Sequence, residues 1–452
     1  MRLSSDTINL LPDGIRRPAY DRTQPVGIVH FGLGAFHRAH QACYTDARLE
    51  AGEKGWMTCG VSLRSPAVAE QLEPQDGLYT ATIRSRESSE TRVIGSIANV
   101  VVAQNNSRAV VARLASHDCR IVSFTVTEKG YCRGPAGSLD FALADKSFYP
   151  LLASALAKRK AQRLPGLTLL SCDNLASNGS QLHRLMHEYL SRRDRTLAKW
   201  FDVECTTPQT MIDRIVPATT QDDLDHLEQH AGLRDDGAVF TEPFSQWIIE
   251  DRFVGPRPQW DKAGASFVSN VEPYETAKLR ILNGAHSLLA YCGLEAGHDY
   301  VHEAIADPSL RSLALGVMDE AIPTIRAGPD QDLEAYKSAL LARFANPALM
   351  HRLAQIAMDG SQKIPQRWLE TLAARQQIGL ASPNLEQAIA GWIRHLSSST
   401  FVNDPRESEL RSILTNNLSP AVLIERLFGE DGALHSAWQV SRSNLQSLLE
   451  GR

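Results

Sequence analysis

The sequence predicts an α/β fold: an N-terminal, doubly wound, mostly parallel sheet followed by a mainly α-helical C-terminal domain. Three observations lead there. Short β-rich apolar runs alternate with helical patterns as far as Cys172. The first of them, Gly27-Ile-Val-His-Phe-Gly32-Leu-Gly34, ends in Gly-x-Gly and passes directly into a helical pattern. After about Glu272 the pattern turns almost wholly helical, with breaks at Ala327-Gly-Pro329, Asn346-Pro and Ser382-Pro. At 452 residues the chain exceeds one ordinary core, so two domains are expected, 1–272 and 273–452.

In the first domain, Gly27 to Phe31 reads as a strand, Gly32 as the residue that permits a tight turn, and Gly34 as the opening for a phosphate to approach backbone at a helix start. Gln41 to Glu50 continues as a helix. The third glycine of the usual motif is absent, because His37 stands there; Arg38 follows as a candidate phosphate contact, with Ala35 and Phe36 in the turn. This strand, turn and helix make the domain a Rossmann-type dinucleotide-binding candidate. A plain strand-to-helix turn is the alternative. Further strands are predicted at Met57 to Leu63, Asn99 to Ala103, Arg120 to Val126 and Leu167 to Cys172, with helices at Ser107 to Ser116 and Phe148 to Arg163. Buried β-rich runs alternating with helices argue for parallel pairing. Two strand ends, Thr127-Glu128-Lys129-Gly130 and Asp173-Asn174, carry polar residues where such sheets bind ligands.

The helical half contains Lys278-Leu-Arg-Ile-Leu-Asn283-Gly-Ala-His286, an amine, an amide and an imidazole in an apolar stretch. At α-helical spacing they fall within an arc of about 140°. Leu279, Ile281, Leu282, Leu288 and Leu289 fill much of the remainder, so the helix is expected to be buried nearly all round. A buried lysine favours its neutral form and can exchange protons near neutral pH. That suits removal of a hydroxyl proton while a hydride leaves the same carbon. A satisfied polar cluster is the competing explanation.

Composition narrows the classes. The net charge of −5 gives no electrostatic case for nucleic acid or an anionic membrane as partner. The seven cysteines are odd in number and include no C-x-x-C pair, which argues against a disulfide framework or zinc site and for a reducing cytosol. The N-terminus, Met1-Arg-Leu-Ser-Ser-Asp, has no apolar signal-peptide core, and no run is long enough to span a bilayer. A soluble cytoplasmic protein, monomeric or weakly self-associating, is expected, with a small molecule as its partner and no metal.

The motifs Phe31-Gly-Leu-Gly-Ala-Phe-His-Arg-Ala-His40, Thr125-Val-Thr-Glu-Lys-Gly-Tyr-Cys132, Ser171-Cys-Asp-Asn174, Asp213-Arg-Ile-Val-Pro217 and Lys278-x-x-x-x-Asn283-x-x-His286 occur in order along the chain. Together they resemble the long-chain polyol dehydrogenases, the mannitol dehydrogenase family that includes fructuronate reductases. Within the family, Thr127 to Gly130, Asp213 to Ala218 and Gln355 to Arg367 look most like the fructuronate (D-mannonate) reductases. The resemblance implies NAD-dependent reduction of D-fructuronate to D-mannonate, in an active site between the domains. The alternatives are oxidation of a neutral polyol, D-mannitol or D-arabinitol, and a non-catalytic sugar-acid sensor.

Residue by residue, the resemblance makes Lys278 the general acid–base, Asn174 and Asn283 donors to the reacting oxygen, His286 its orienting group, and Glu275 a gate for proton exchange. It places Asp213 and Lys363 in the substrate cleft. Lys129 and Arg367 are candidates for a uronate carboxylate. Gly32, Gly34, Ala35, Phe36, Arg38, Arg64, Thr127 and Glu128 are the expected cofactor residues. The strand Cys59 to Leu63 is followed by no acid until Glu70, whereas NAD sites usually carry one for the ribose; Arg64 and Ser65 leave NADP open.

Overall fold

The computed structural model describes residues 1–134, 137–398, 403–414, 418–440 and 444–450. The chain divides into two compact units, Met1–Val271 and Glu272–Arg452.

Strands occur only in the first unit among the described residues: β1 (Val26–Phe31), β2 (Met57–Ser62), β3 (Tyr79–Arg84), β4 (Ser89–Ile94), β5 (Ile97–Val102), β6 (Ile121–Phe124), β7 (Thr168–Ser171), β8 (Thr210–Asp213), β9 (Val239–Thr241), β10 (Gln246–Glu250) and β11 (Ser266–Val268). The central sheet has the order β5-β2-β1-β6-β7, and every neighbouring pair is parallel. Successive strands run outward from β1 in one direction and then resume beside it as β6, so the order reverses between β1 and β6. In a doubly wound sheet the crevice outside the carboxyl ends at that reversal is where ligands bind. All six residues of β1 and all four of β6 and of β7 are buried, as expected for a parallel sheet covered on both faces. Phe31 and Phe124, stacked at 5.5 Å, pack with Phe148 beneath the sheet. Full burial of each phenyl ring contributes about 1.5–3 kcal/mol.

Two small sheets escape sequence prediction: β4-β3-β9 and β11-β10-β8. Each combines an antiparallel and a parallel pair. β9 and β11 have three residues each, and β4 begins with exposed Ser89 and Glu90. Neither length nor alternation marks such segments, and pairing with distant chain creates them.

The second unit is helical. Its central helix, Gly284–Glu295, is buried from Gly284 through Gly293 and packs against Pro308–Ala321 and Pro383–Ser398. Trp368 and Trp392 are fully buried in the same core. The expected breaks appear: the chain is irregular around Ala327 to Pro329, helix Leu333–Phe344 ends before Asn346-Pro, and Pro383 starts a helix, where its missing N–H costs nothing. No helix among the described residues is long and apolar enough to cross a membrane.

Candidate active site

The glycine turn follows β1 directly. Gly32 has φ +88°, and a Cβ there would lie 2.2 Å from the Thr125 carbonyl oxygen, so only glycine lets the turn pass the end of β6. A Cβ at Gly34 would meet only Gly32 O at 3.8 Å, which leaves its surface open to an approaching group. The helix that follows is short, Ala35–Ala39; the chain bends at His40 and resumes as Gln41–Glu50. Ala35 and Phe36 are half-buried, with Phe36 stacked on His40.

The turn rests on a hydrogen-bonded chain. Thr125 Oγ1 donates to Gly32 O at 2.7 Å, which makes His30 Nε2, at 2.8 Å, the donor to Thr125 and His30 Nδ1 the acceptor from Ser123 Oγ, also at 2.8 Å. Burial lowers the His30 pKa to about 3, so the ring is neutral. His37, in the place of the third glycine, stacks on His30 with centroids 3.6 Å apart.

Arg38, expected at a phosphate, is engaged within the fold. It is buried, donates through Nη1 to Gly237 O at 2.7 Å, and lies over the Tyr79 ring. A guanidinium held this way braces main chain beside the turn.

The ends of β6 and β7 meet through Asp173. Its carboxylate accepts from Thr127 N at 2.8 Å, Val126 N at 3.1 Å and Tyr131 Oη at 2.8 Å. Thr127 has φ +65°, a left-handed conformation unfavourable for a threonine, and these bonds hold it there. Burial raises the Asp173 pKa to about 6 against the lowering effect of its three donors. Thr127, Glu128 and Lys129 are exposed beyond the end of β6, as is Asn174 beyond β7. The next helix starts at Asn178, too far along for Asn174 to cap it. Asp213 ends β8 and is buried. The neighbouring Arg214 spends its guanidinium on the carbonyls of Ala39 and Glu242. A cavity of about 380 Å³ opens at the carboxyl ends of β2 and β5, lined by Leu63, Arg64, Ala103, Gln104, Lys146 and Pro150 among others.

In the second unit, Glu275 lies in the first turn of helix Glu272–Ala277. Lys278–Asn283 departs from the predicted α-helix: it is a π-helical segment, closed by the Gly284 N–H to Leu279 O five residues back. The wider turn advances each residue by about 80°, so Asn283 comes round to within about 40° of Lys278 instead of about 140°. Lys278 is 8% exposed and Asn283 half-buried. His286, 6% exposed, is stacked on Phe344 at 4.4 Å, and its Nε2 is buried with no hydrogen-bond partner. Burial first, then His351 and the charges of Arg343, Arg367 and Lys363, holds its pKa well below the usual imidazole value. A neutral ring with an unpartnered nitrogen is suited to meeting a ligand oxygen.

Lys363, expected in the substrate cleft, and Arg367, expected at a carboxylate, both make hydrogen bonds within the helical unit. Lys363 donates to Met358 O at 2.6 Å and Ile356 O at 3.2 Å. Arg367 donates to Ser287 Oγ at 2.7 Å and Asn283 O at 3.3 Å. Both cations tie segments of the helical unit together. Asp173, noted from sequence as a polar residue at a strand end, had no role assigned to it there; Phe344 was missed, and nothing local marks it.

Comparison with known proteins bears on the chemistry. The model of the mannitol dehydrogenase Rossmann domain matches residues 26–262, and that of the mannitol dehydrogenase C-terminal domain residues 270–430. D-mannonate oxidoreductase of Escherichia coli is 39% identical over 88% of this chain and 87% of its own length. Mannitol 2-dehydrogenase of Aspergillus terreus is 37% identical over 93% and 90%. The Pseudomonas fluorescens mannitol 2-dehydrogenase, solved as a ternary complex with NAD and D-mannitol, aligns with TM-score 0.84 and 32% identity over 99% of this chain and 98% of that one.

Proposed function

This chain belongs to the mannitol dehydrogenase family, and from that premise we propose that it interconverts D-fructuronate and D-mannonate with NAD(H). The observation that carries the chemistry is the constellation of buried Lys278, Asn283 brought to its side by the π-turn, and neutral His286 with a free Nε2.

The first unit suits a dinucleotide. Gly32 makes the tight turn and Gly34 leaves open backbone at the strand-order reversal, Thr127 and Glu128 stand exposed at the end of β6, and Arg64 borders the cavity beyond β2, where an adenosine end fits. When bound, the nicotinamide supplies or accepts the hydride. Lys278 gives its Nζ proton to the C5 oxygen as that oxygen gains charge in reduction, and takes it back in oxidation. Asn283 donates to the same oxygen, with Asn174 as a further donor, stabilising negative charge as an oxyanion hole does. His286 Nε2 orients the substrate oxygen. Glu275, one turn before Lys278, passes the exchanged proton to solvent, and Asp213 binds a substrate hydroxyl.

For the uronate carboxylate, the commitments of Lys363 and Arg367 leave Lys129, exposed at the end of β6, as the assigned cation. The second reading, a neutral polyol, is supported by the identity to mannitol 2-dehydrogenase, close to that for the mannonate enzyme. NADH oxidation with D-fructuronate against D-fructose separates them. Fast turnover of fructuronate alone supports the uronate reading; faster turnover of fructose overturns it. Lys278→Ala is expected to lower turnover by about three orders of magnitude or more with NADH binding unchanged, and retention of most activity would remove Lys278 from its role.

A further inference from the structure

The helical unit contains a second π-helical segment, Pro365–Leu369, closed by the Glu370 N–H to Pro365 O five residues back. This one has a local cause. Pro365 has no N–H for an α-helical bond, and its ring crowds the carbonyl four residues earlier, so the ladder must widen. Lys278–Asn283 has no such cause. It contains no proline or glycine, and Lys, Leu and Arg all favour the α-helix. Its π conformation must be held from outside.

Arg280, within the segment, donates to Thr324 O at 2.9 Å and Thr324 Oγ1 at 2.8 Å; the donors that reach the backbone at its exit come from the other π segment. Trp368 Nε1 donates to Gly284 O at 3.1 Å in a fully buried contact. Arg367 Nη1 donates to Ser287 Oγ at 2.7 Å and to Asn283 O at 3.3 Å. A Cβ at Gly284 would stand 3.6 Å from the indole nitrogen and 3.7 Å from Arg367 O, so the two backbones lie close together. The acceptors of Trp368 and Arg367 sit at the exit of the first π-turn, where its register differs by one residue from a continuous α-helix.

We propose that Arg367 and Trp368 are positioning residues that clamp Lys278–Asn283 in its π conformation and so set the angle between Lys278 and the Asn283–His286 face. The proposal rests on the reading of Lys278 as the acid–base. Relaxation to an α-helix would swing Lys278 about 100° from Asn283, far beyond the misplacement that costs about a hundredfold in rate. The loss therefore falls on proton transfer, while the cofactor-binding unit is untouched.

The test uses three variants of the full chain. Trp368→Phe keeps an apolar ring and removes the N–H; Arg367→Met keeps the stem and removes the donors; Arg367→Lys restores one charged donor. Steady-state turnover, NADH affinity, thermal midpoint and the pH dependence of kcat/KM are measured beside Lys278→Ala. Trp368→Phe and Arg367→Met are expected to lower kcat by roughly 10- to 100-fold with NADH affinity unchanged. Both should displace the ionisation that Lys278→Ala abolishes, and Arg367→Lys should recover part of the loss. If Trp368→Phe does not fold, Arg367→Met and its lysine rescue decide alone. Wild-type kcat and pH profile in the variants, beside an inactive Lys278→Ala, overturns the clamp and leaves the acid–base reading standing. So does loss of activity that tracks the thermal midpoint without any displaced ionisation. An active Lys278→Ala overturns the acid–base reading itself.

Discussion

The imidazole of His286 stands edge-on to that of His351, with ring centroids 5.3 Å apart and planes at 89°. Phe344 lies against a face of the same His286 ring. The ring is therefore fixed in a slot between two aromatic groups, and both histidines have their pKa values lowered by burial, His351 to about 4. The His286 ring is thereby oriented and kept in its neutral form.

The first consequence concerns activity. Phe344→Leu loosens the slot without adding a polar group, and kcat/KM is expected to fall by about tenfold with NADH affinity unchanged. In His286→Asn the acid limb of the pH–rate profile should persist at its wild-type position. Disappearance of that limb would show that His286 ionises during turnover.

The second concerns Asp173. Its removal in Asp173→Ala leaves Val126 N, Thr127 N and Tyr131 Oη without their acceptor and the left-handed Thr127 unsupported. Stability should drop by about 2–4 kcal/mol in denaturant titration, and NADH should bind at least about tenfold more weakly. With a folded pKa of about 6, raised above the ordinary carboxylate value, Asp173 takes up a proton as pH falls through 6. The stability linked to that proton is fully present below the unfolded value, about 4, and lost as pH rises through 6, apart from what the three hydrogen bonds contribute. The wild-type loop should weaken its hold on NADH between pH 7 and 5, a dependence that Asp173→Asn should lack. Parallel titrations in the two proteins would dismiss the assignment.

The third concerns His351. Its depressed pKa means the unfolded chain binds the proton more readily, so its share of stability is complete above about pH 6.5 and declines towards pH 4. His351→Phe removes the titration and the buried, unpartnered Nδ1. At pH 7 the variant should be as stable as wild type or more so; by pH 5 wild type should have lost about 2 kcal/mol relative to it. A constant difference across that range, read by chemical denaturation, refutes the shift.

The central sheet was legible because its strands are buried on both faces and alternate with helices; the four strands after β1 lie within two residues of their predicted bounds. The Gly-x-Gly turn was legible because only glycine tolerates the conformation and close approach that Gly32 shows. The π-turn was not, since Lys278 to Asn283 carries ordinary helix formers and the widening is imposed through Arg367 and Trp368, some 80 residues away. Arg38, Lys363 and Arg367 share the same difficulty. A cation in a promising motif looks available until the carbonyls it already serves are known.

What the sequence determined by itself was local: burial periodicity, the residue types able to turn or to transfer a proton, and their order along the chain, all set by neighbours a few positions apart. What the tertiary structure alone decided was which side chains remain available for chemistry. Asn283 is turned towards Lys278, His286 is wedged and neutral, and Asp173 is spent on the Thr127 loop, because hydrogen bonds and ring contacts between distant segments fix rotations that no local pattern encodes.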